Sequence, residues 1–345
     1  MRVLVTGSAG FIGSAVADAL TARGDEPVRV DAMLPQAHGA ATAPPDTHRL
    51  DVRDVEQWRH LLDGVDAVSH QSALVGAGVR VADLPDYAAH NDLATAALLA
   101  TMHESGVHRL VLASSMVVYG EGRYACAEHG RRTPEAREIA RLDAGDFDHH
   151  CDRCGRGLQW EPVNESAPLD PRSAYAASKA AQEHYSAAWA RHAGGGVVAL
   201  RYHNVYGPGM PRDTPYSGVA AMFRSALERG DPPRVFEDGA QMRDFVHVAD
   251  VARANLAALD AVRGDGRFAA YNVCSGTPVS IREVADLVAE GTGRHLMPVV
   301  TGGYRPGDVR HVVASPARAS AELGFTAAIA PGPGLREFAT APLRA

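Results

Sequence analysis

Hydrophobic runs and helical repeats alternate along the first half of the chain. The run RVLVTG (Arg2–Gly7) is rich in β-branched residues and stops at a glycine, which is typical of a buried strand. SAVADALTARG follows with helical spacing and ends at Gly24, a typical C-cap. EPVRVD (Glu26–Asp31) is predicted as the second strand, and VDAVSHQSA and RLVLASS (Arg109–Ser115) as the fourth and fifth. Strands alternating with helices predict an α/β fold with a doubly wound parallel sheet.

The first strand leads into a turn whose glycines are spaced G-x-x-G-x-x-G, from Gly7 to Gly13. Such glycines allow a tight turn and let backbone N–H groups approach a pyrophosphate at a helix N-terminus. Asp31 ends the second strand, where a carboxylate accepts from both ribose hydroxyls and repels a 2′-phosphate. The pattern predicts a dinucleotide site that takes NAD rather than NADP. Asp51, in LDVRD, is predicted to meet the adenine amino group, and the alternative is a turn or helix cap.

Composition narrows the class of protein. A chain of 345 residues suits one large or two moderate domains, and 22% charged with 46% hydrophobic residues is ordinary for a globular enzyme. The net charge of -7 gives no sign of a nucleic-acid partner. No apolar run reaches the roughly 18 residues that span a bilayer, and the N-terminus lacks a signal-peptide cleavage site. We therefore expect a cytoplasmic protein with no membrane partner.

The stretch YAASK places Tyr175 and Lys179 four residues apart. On a helix the two side chains share one face. A nearby ammonium favours phenolate and lowers the pKa of a tyrosine toward neutral, which suits proton removal from a sugar hydroxyl. Taken alone, such a pair is more often part of a solvated helix surface.

Six segments resemble, in order, the extended short-chain dehydrogenase/reductase family in its nucleotide-sugar epimerase/dehydratase branch: TGSAGFIG, ASSMVVYG, YAASK, RYHNVYGPG, RDFVHVADV and RPGDVRH. They cover nearly the whole chain except roughly residues 121–165. The resemblance implies a catalytic Tyr175 and Lys179, with Lys179 also on the nicotinamide ribose. It implies that Ser115 hydrogen-bonds the reacting oxygen of the sugar. It also implies tightly bound NAD, a nucleotide-diphosphate sugar as substrate, and a homodimer formed through helices that flank the sheet.

The same resemblance divides the chain and assigns contacts. It implies a Rossmann-like NAD-binding domain (1–120 and 166–207, with 244–275 returning to it), an insert (121–165) and a smaller C-terminal α/β domain for the nucleotide sugar (208–345). Cofactor contacts are expected from Gly7, Gly10, Phe11, Ile12, Gly13, Asp31, Asp51, Val52, Gln71, Ser72, Ala73, Asn91, Ser114, Tyr175, Lys179 and Tyr202. Substrate contacts are expected from Ser115, Tyr175, Asn204, Arg243, Arg305 and Asp308.

Roles follow for the substrate residues. The two arginines would hold the diphosphate, because guanidinium forks suit phosphate oxygens, and Asp308 would hold the nucleotide's ribose. The alternatives are a turn residue for Asn204 and surface charges for the rest. Tyr216 and His311 are expected to shape the sugar or base pocket.

The residues after Ser115 separate the reaction types of the branch. By resemblance, 4,6-dehydratases carry an Asp-Glu pair there, and decarboxylases a Glu, whereas this chain has Met116 and Val117. Without those carboxylates, elimination and decarboxylation lose their proton carriers, which leaves reversible oxidation at C4. We expect an NAD-dependent 4-epimerase of a dTDP-L-rhamnose-like or UDP-hexose or hexuronate substrate. An oxidoreductase that releases a keto sugar and a non-catalytic NAD or sugar-nucleotide sensor stay open as alternatives.

The insert at 121–165 carries a pattern of metal ligands. Cys126-x2-His129 and Cys151-x2-Cys154 are two short-spaced pairs, which resemble a zinc knuckle. Four filled positions predict a closed, structural Zn²⁺ site, with EAREIARL as a short helix between the pairs. His149 or His150 could replace His129, and a flexible loop with loosely placed thiols is the alternative to a metal site. Cys274, in YNVCSG, is expected in a core strand.

Overall fold

The structure, a computed structural model, describes residues 1–76, 78, 80–212, 218–294 and 296–344. Tyr216, expected to shape the substrate pocket, lies outside the described residues. The strands are β1 Arg2–Thr6, β2 Glu26–Asp31, β3 Thr47–Arg49, β4 Ala67–His70, β5 Arg109–Ser115, β6 Arg123–Cys126, β7 Gly130–Arg132, β8 Gln159–Glu161, β9 Gly196–Tyr202, β10 Asn204–Tyr206, β11 Arg234–Val235, β12 Met242–Arg243, β13 Phe245–His247, β14 Phe268–Val273, β15 Val279–Ser280 and β16 Val299–Val300.

Helices follow most strands of the first half, and six helices lie in the second half as far as the structure describes it. They are α1 Phe11–Arg23, α2 Pro35–His38, α3 Val55–Trp58, α4 Leu84–Tyr87, α5 Ala94–Glu104, α6 Ile139–Asp143, α7 Ala174–Ala193, α8 Val219–Arg229, α9 Val248–Ala261, α10 Ile281–Gly291, α11 Ala317–Leu323 and α12 Pro331–Phe338. A π-helical segment, Ala88–Leu93, joins α4 to α5. Among the described residues, no helix is both long and apolar enough to cross a membrane.

Seven parallel strands form the central sheet, in the order β14-β9-β5-β4-β1-β2-β3. The order reverses beside β1, because β2 lies on one side of it and β4 on the other. In such sheets the crevice outside the carboxyl ends of the strands at this point is where ligands bind. The doubly wound parallel sheet predicted from the sequence is confirmed, and β2 and β5 have the predicted bounds.

Helices cover both faces of this sheet. On one face Val16 and Leu20 of α1 pack with Val251 and Leu259 of α9 against β1, β5 and β9. On the other face α5 and α7 pack against the sheet, around the buried Leu98. Burial on both faces accounts for strands that are continuously apolar instead of alternating. Strand β14 joins the sheet beside β9, where residues 244–275 were expected to return to the first domain.

The C-terminal part has its own core. Helices α8, α10 and α12 bury Phe223, Val288 and Phe338 together with Tyr206 and Phe245 of two short strands. Ser280 caps α10 with a capping box to Glu283. This second core lies beside the carboxyl ends of the central sheet and supplies the other wall of the crevice. The domain boundaries given above stay a prediction.

Residues 121–165 form a small unit of their own. Strand β6 lies between β7 and β8 in a three-stranded antiparallel sheet. The helix predicted between the two ligand pairs is α6, which is shorter than the predicted segment. This unit begins after the 3₁₀ turn Met116–Tyr119 at the end of β5. It therefore lies close to the end of the strand that carries Ser115.

Candidate functional site

A cavity of about 570 Å³ runs along the carboxyl ends of the central strands. It begins at Asp31, passes the glycine turn and ends between Tyr175 and Asn204. The residues predicted to bind cofactor or substrate that line it are Gly7, Gly10, Phe11, Ile12, Gly13, Asp31, Asp51, Val52, Gln71, Ser72, Ala73, Ser114, Ser115, Tyr175, Tyr202, Asn204 and Arg305. Four others, Asn91, Lys179, Arg243 and Asp308, lie outside this lining and are described below.

The glycine turn is shaped by close approaches of the backbone. Gly7 has φ +66°, and a Cβ there would lie 2.7 Å from the backbone nitrogen of Ser72. A Cβ on Gly13 would lie 2.0 Å from the Gly7 carbonyl oxygen. Gly10 is the N-cap of α1 and provides no side-chain cap. The N-terminal amides of α1 therefore face the cavity without a side chain in front of them. The turn thus offers a cradle that a nucleotide phosphate fits.

Asp31 lies at the far end of the cavity and is 6% exposed. Its carboxylate accepts from the backbone N–H groups of Ala9 (3.0 Å) and Met33 (2.8 Å) and lies 3.2 Å from Nε2 of His38. Burial raises the pKa of Asp31, but these hydrogen bonds outweigh burial and hold the pKa below its ordinary value. A carboxylate kept ionised here suits ribose hydroxyls and disfavours a 2′-phosphate.

Asp51 lines the cavity beside Val52, but its carboxylate is held by Arg53. The guanidinium donates to both carboxylate oxygens, at distances down to 2.7 Å. These hydrogen bonds lower the pKa of Asp51. Contact with an adenine amino group stays a prediction, since a carboxylate paired with one guanidinium keeps free lone pairs.

Ser115 and Tyr175 meet at the reaction end of the cavity. Ser115 ends β5, and Tyr175 lies in the first turn of α7, whose N-terminus Ser173 caps. Burial raises the pKa of Tyr175 to about 12, against the hydrogen bond with Ser115, which lowers it. The expectation that Lys179 brings this pKa toward neutral is therefore wrong for the protein alone. At neutral pH the phenol is therefore protonated, and a further positive charge nearby would be needed to lower its pKa.

Lys179 is the only lysine in the chain and is 3% exposed. Its ammonium group donates to the carbonyl oxygen of Ala113 at 2.9 Å. Burial lowers the pKa of Lys179 to about 7, although the charge of Glu183 raises it. The side chain lies one helical turn behind Tyr175 and outside the lining of the cavity.

Two predicted cofactor residues have other partners in the structure. Asn91 is fully buried in the π-helical segment, and its amide bonds both backbone groups of Leu74 and the Ser178 hydroxyl. Asn91 thus fixes the loop at Leu74 beside the cavity, and its direct contact with the cofactor stays a prediction. Ser114 lines the cavity, but its hydroxyl donates to Glu183 at 2.5 Å.

Arg243 does not face the cavity lining. Its guanidinium donates to the carbonyl oxygens of Met242, Val309 and Arg310 at 2.7–2.9 Å. Arg243 thus holds the backbone of residues 309–310, and its contact with a diphosphate stays a prediction. That backbone directly follows Asp308, so Arg243 fixes the segment that carries two other predicted substrate residues.

The remaining substrate residues lie at the rim and the wall. Asn204 lines the cavity, and its buried side-chain oxygen lacks a hydrogen-bond partner among the described residues. Arg305 stacks on Phe236 at 5.1 Å and reaches the same cavity. Asp308 lines a second cavity of about 680 Å³, and burial raises its pKa. His311 is partly buried and lines neither of these cavities, and its Nδ1 accepts from the backbone N–H of Met242.

The second cavity opens on the other side of Tyr175. The two cavities share Gly76, Met116, Val117 and Tyr175. The second is lined mainly by apolar and small residues, including Pro171, Pro306, Val309 and Val312. A sugar whose reacting hydroxyl meets Tyr175 would therefore place its other side among apolar groups.

The four predicted metal ligands come together in the insert. The ligand atoms of Cys126, His129, Cys151 and Cys154 lie within 4.8 Å of one another. The Sγ of Cys126 is 3.6 Å from Nδ1 of His129 and 3.7 Å from Sγ of Cys154, and Sγ of Cys151 is 3.6 Å from the same Nδ1. A tetrahedral zinc site with Zn–S bonds of about 2.3 Å has ligand atoms about 3.5–3.8 Å apart. The donor set and its spacing therefore fit Zn²⁺.

Backbone amides support the sulfurs of this cluster. At Cys126 and at Cys151, N–H groups two and three positions further along the chain donate to the sulfur. His149 and His150, the alternative ligands, lie elsewhere: His149 pairs with Glu121 at 3.0 Å and His150 with Asp146. Cys274 is buried at the end of β14, away from the cluster.

Sequence reasoning missed several residues that build the site. His38 binds Asp31, and Gly78 packs so closely on α7 that a Cβ there would lie 2.5 Å from the Tyr175 nitrogen. Arg310 is 1% exposed and pairs with Glu237, Asp238 and Asp148. Arg310 is the second arginine of RPGDVRH, and nothing in the sequence distinguished it from an exposed surface arginine.

A family model agrees with this geometry. The model of the NAD dependent epimerase/dehydratase family matches residues 3–137 and 154–274. The chain belongs to this family. The internal gap in the family match, residues 138–153, lies inside the insert and includes Cys151, one of the four clustered ligands.

Members of the family that resemble this chain act on several nucleotide sugars. The dTDP-L-rhamnose 4-epimerase of Burkholderia thailandensis is 34% identical over 94% of this chain and 90% of its own length. A UDP-glucose 4-epimerase of Streptomyces lividans is 30% identical over 94% of this chain and 91% of its own. The solved structure of the Thermus thermophilus UDP-glucose 4-epimerase with NAD is 33% identical, has a TM-score of 0.77, and is covered over 98% of both chains.

Proposed function

We propose that this protein is an NAD-dependent nucleotide-sugar 4-epimerase in which Tyr175 is the acid and base at C4. The observation that carries the proposal is the Ser115–Tyr175 pair at one end of a cavity whose other end holds Asp31 and the glycine turn. Met116 and Val117 follow Ser115, where no carboxylate is present to drive elimination or decarboxylation. The relatives named 4-epimerases support the same reaction.

The residues of the site divide the work. The glycine turn, Asp31 and the strand ends would hold NAD, which supplies a hydride acceptor and a positive charge when it is bound. Ser115 would hydrogen-bond the C4 oxygen and steady its developing charge. Tyr175 would take the C4 hydroxyl proton and later return it to the C4 oxygen, after the 4-keto sugar has rotated in the site so that its opposite face meets the hydride donor. Lys179, buried behind Tyr175, would favour the deprotonated form of the phenol through its positive charge.

The second cavity favours a sugar with an apolar C6 group. Its arginines, Arg80 and Arg172, are already paired with Asp83 and Asp170 at 2.8 and 2.5 Å. A C6 carboxylate would thus meet no unpaired cation there among the described residues, and the lining is mainly apolar. We propose a 6-deoxyhexose such as that of dTDP-L-rhamnose as the preferred sugar, ahead of UDP-hexoses and UDP-hexuronates.

The test is to incubate the purified protein, without added cofactor, with dTDP-L-rhamnose, UDP-glucose, UDP-galactose and UDP-glucuronate separately. NMR of the sugar protons follows each reaction. A C4-inverted product, fastest from the 6-deoxy substrate, is the expected result. A 4-keto product that accumulates only with added NAD would indicate an oxidoreductase, and binding without turnover of any sugar would indicate a sensor.

We also propose that the cluster in the insert holds Zn²⁺ in a structural role. Three thiolates and one imidazole fill a tetrahedron, so no position remains for a catalytic water. The reaction proposed above needs no zinc chemistry.

A homodimer is the proposed assembly. Helices α5 and α7 pack side by side on one face of the sheet, and the exposed Leu93 and Tyr185 lie on this helical layer. A partner chain on this layer would cover both side chains, of which Leu93 is 57% and Tyr185 48% exposed. Light scattering on the purified protein measures this directly.

A further inference from the structure

Residues 341–344, called here the C-terminal strap, lie along the wall of the cofactor cavity. The strap pairs with residues 209–212 through three backbone hydrogen bonds: Gly209 N–H to Pro342 O (2.9 Å), Arg344 N–H to Met210 O (3.0 Å) and Arg212 N–H to Arg344 O (3.0 Å). Arg224 donates to the Ala341 carbonyl at 2.6 Å. These bonds fix the backbone of the strap and therefore the Cα position from which the Arg344 side chain extends.

The Arg344 side chain reaches the glycine turn at the opposite end of the sequence. Its Nη1 donates to the carbonyl oxygen of Ala9, and its Nη2 lies 3.4 Å from the Ser14 hydroxyl. Ala9 and Ser14 flank the N-terminus of α1. Arg344 also lines the cavity that contains Gly10 and Asp31.

The positive charge of Arg344 is not compensated by these contacts. Both hydrogen bonds go to neutral oxygens, although a guanidinium has five N–H donors. Burial lowers the pKa of Arg344, and the charge of Asp31 raises it. The carboxylate of Asp31, however, is engaged by Ala9, Met33 and His38. A half-buried cation without its own carboxylate is costly unless an anion joins it.

The surroundings of the Arg344 guanidinium suit an anion. The N-terminus of α1 carries a partial positive charge and, as described, no side-chain cap. Together with a guanidinium it suits a diphosphate bridge, whose oxygens accept two parallel N–H donors. We infer that Arg344 is a binding residue for the pyrophosphate of the dinucleotide, brought to the glycine turn by the C-terminal strap. The inference rests on the proposed use of NAD.

The strap also connects the cofactor to the substrate side. Met210 and Pro211, which pair with the strap, line the same cavity near Asn204. Loss of the guanidinium is expected to weaken dinucleotide binding first, because the backbone pairing of the strap remains.

The experiment compares Arg344→Ala, Arg344→Lys and Arg336→Ala. Arg336 is a matched control, since it lies on α12, is half exposed and pairs with Glu290 on the surface. Bound NAD is extracted and quantified after extensive dialysis, and calorimetry on the stripped proteins measures the affinities for NAD, ADP-ribose, adenosine, dTDP and UDP. No readout needs turnover, so a failed epimerase assay does not affect the test.

We expect Arg344→Ala to lose about tenfold to a hundredfold in affinity for NAD and ADP-ribose, the loss of a charge-assisted contact. Adenosine affinity and the melting temperature without ligand should match those of Arg336→Ala, and Arg344→Lys should recover part of the loss. Unchanged NAD and ADP-ribose affinity overturns the inference. So does an equal loss for adenosine, which would show a purely structural tie, or a loss confined to dTDP and UDP, which would assign Arg344 to the substrate diphosphate.

Discussion

At the scale of single residues, the site has two kinds of side chain. Some face the cavity, and others lie behind it and fix the backbone around it. Tyr175 and Ser115 face the cavity, whereas Asn91, Lys179 and Arg243 stand behind it and fix a loop, a strand end and a backbone segment. Lys179 is informative because the other basic residues, 33 of the 34 Lys and Arg, are arginines. An ammonium loses its proton on burial far more readily than a guanidinium, which explains a lysine here.

Tyr175→Phe tests the acid and base role. Removing the hydroxyl leaves the ring packing and the cavity intact, so we expect turnover to fall by about 10³-fold or more while bound NAD is retained. Tyr185→Phe is the matched control, because Tyr185 lies on the same helix with its ring 48% exposed. Sugar-proton NMR and NAD extraction are the two measurements. Full activity of Tyr175→Phe would remove Tyr175 from the mechanism.

The residues that sequence reasoning placed well are those whose role follows from local pattern. Gly7 and Gly13 are recognised by spacing after a strand, and Tyr175 and Lys179 by spacing on a helix. Arg344 was missed because the contact joins positions 335 residues apart and no motif surrounds it. The pKa of Tyr175 was predicted in the wrong direction, since spacing alone does not show how strongly the phenol is buried.

At the scale of elements, the insert is a support for the substrate segment 305–311. Asp148 binds Arg310 at 2.8 Å, the Tyr124 hydroxyl accepts from the His311 N–H at 3.0 Å, and Arg137 donates to the Asp308 carbonyl at 2.7 Å. Asp148 lies three residues before Cys151 in the sequence. The position of the segment that carries Arg305 and Asp308 therefore depends on the fold of the insert around its Cys/His cluster.

Cys151→Ser tests this connection. We expect zinc content, measured by plasma mass spectrometry, to fall well below one ion per chain, because a thiolate ligand is lost. Affinity for the nucleotide sugar should fall by about tenfold or more while NAD retention stays unchanged, since the insert contacts the substrate segment and not the glycine turn. Cys274→Ala, remote from the cluster, is the control. Metal loss with unchanged sugar affinity would show that the insert holds the segment without its metal.

The elements of the central sheet were predicted from the sequence better than those of the insert and of the C-terminal part. Strand β5 has the predicted bounds because its apolar run is buried on both faces, whereas β2 has them although Glu26 is exposed and Arg29 is only partly buried. The three-stranded sheet of the insert was not predicted, since β7 and β8 have three residues each and partly exposed side chains. Short strands of this kind depend on their partners more than on their own pattern.

At the scale of the whole molecule, the fold buries polar groups in the centre of the main sheet. Arg201 and Glu183 form an ion pair at 2.7 Å with both side chains at most 5% exposed. His70 is 1% exposed at the end of β4, with Thr6 at 2.7 Å and Thr95 at 3.1 Å. These groups connect β9 to α7, and β4 to β1 and α5, behind the cavity, so the stability of the fold depends on their charge states.

His70 predicts acid sensitivity of the whole fold. Burial, aided by the charge of Lys179, lowers the pKa of His70 to about 3, whereas an unfolded histidine has a pKa of about 6.5. The unfolded chain therefore takes up the proton first, and the contribution of His70 is complete above pH 6.5 and declines as the pH falls toward 3. The free energy of unfolding should decrease by up to about 1.4 kcal/mol per pH unit from this group.

Urea unfolding of His70→Asn between pH 7.5 and 5 is the measurement. The variant is expected to be less stable at pH 7.5 but to show a shallower decline, because asparagine does not titrate. His192→Asn, an exposed site at the end of α7, should keep the wild-type slope. Parallel slopes for wild type and His70→Asn would assign the acid sensitivity to other groups.

The single lysine has a consequence for proteolysis. A lysine-specific endoproteinase has one cleavage site in this chain, the bond after Lys179, which lies within α7 with the side chain almost fully buried. Cleavage requires that α7 opens at the catalytic centre, so the folded chain should resist the enzyme and yield two fragments only as fast as this opening permits. The cutting rate thus reports the local stability of the reaction site in the unlabelled protein, and a bound ligand that holds Tyr175 should slow it.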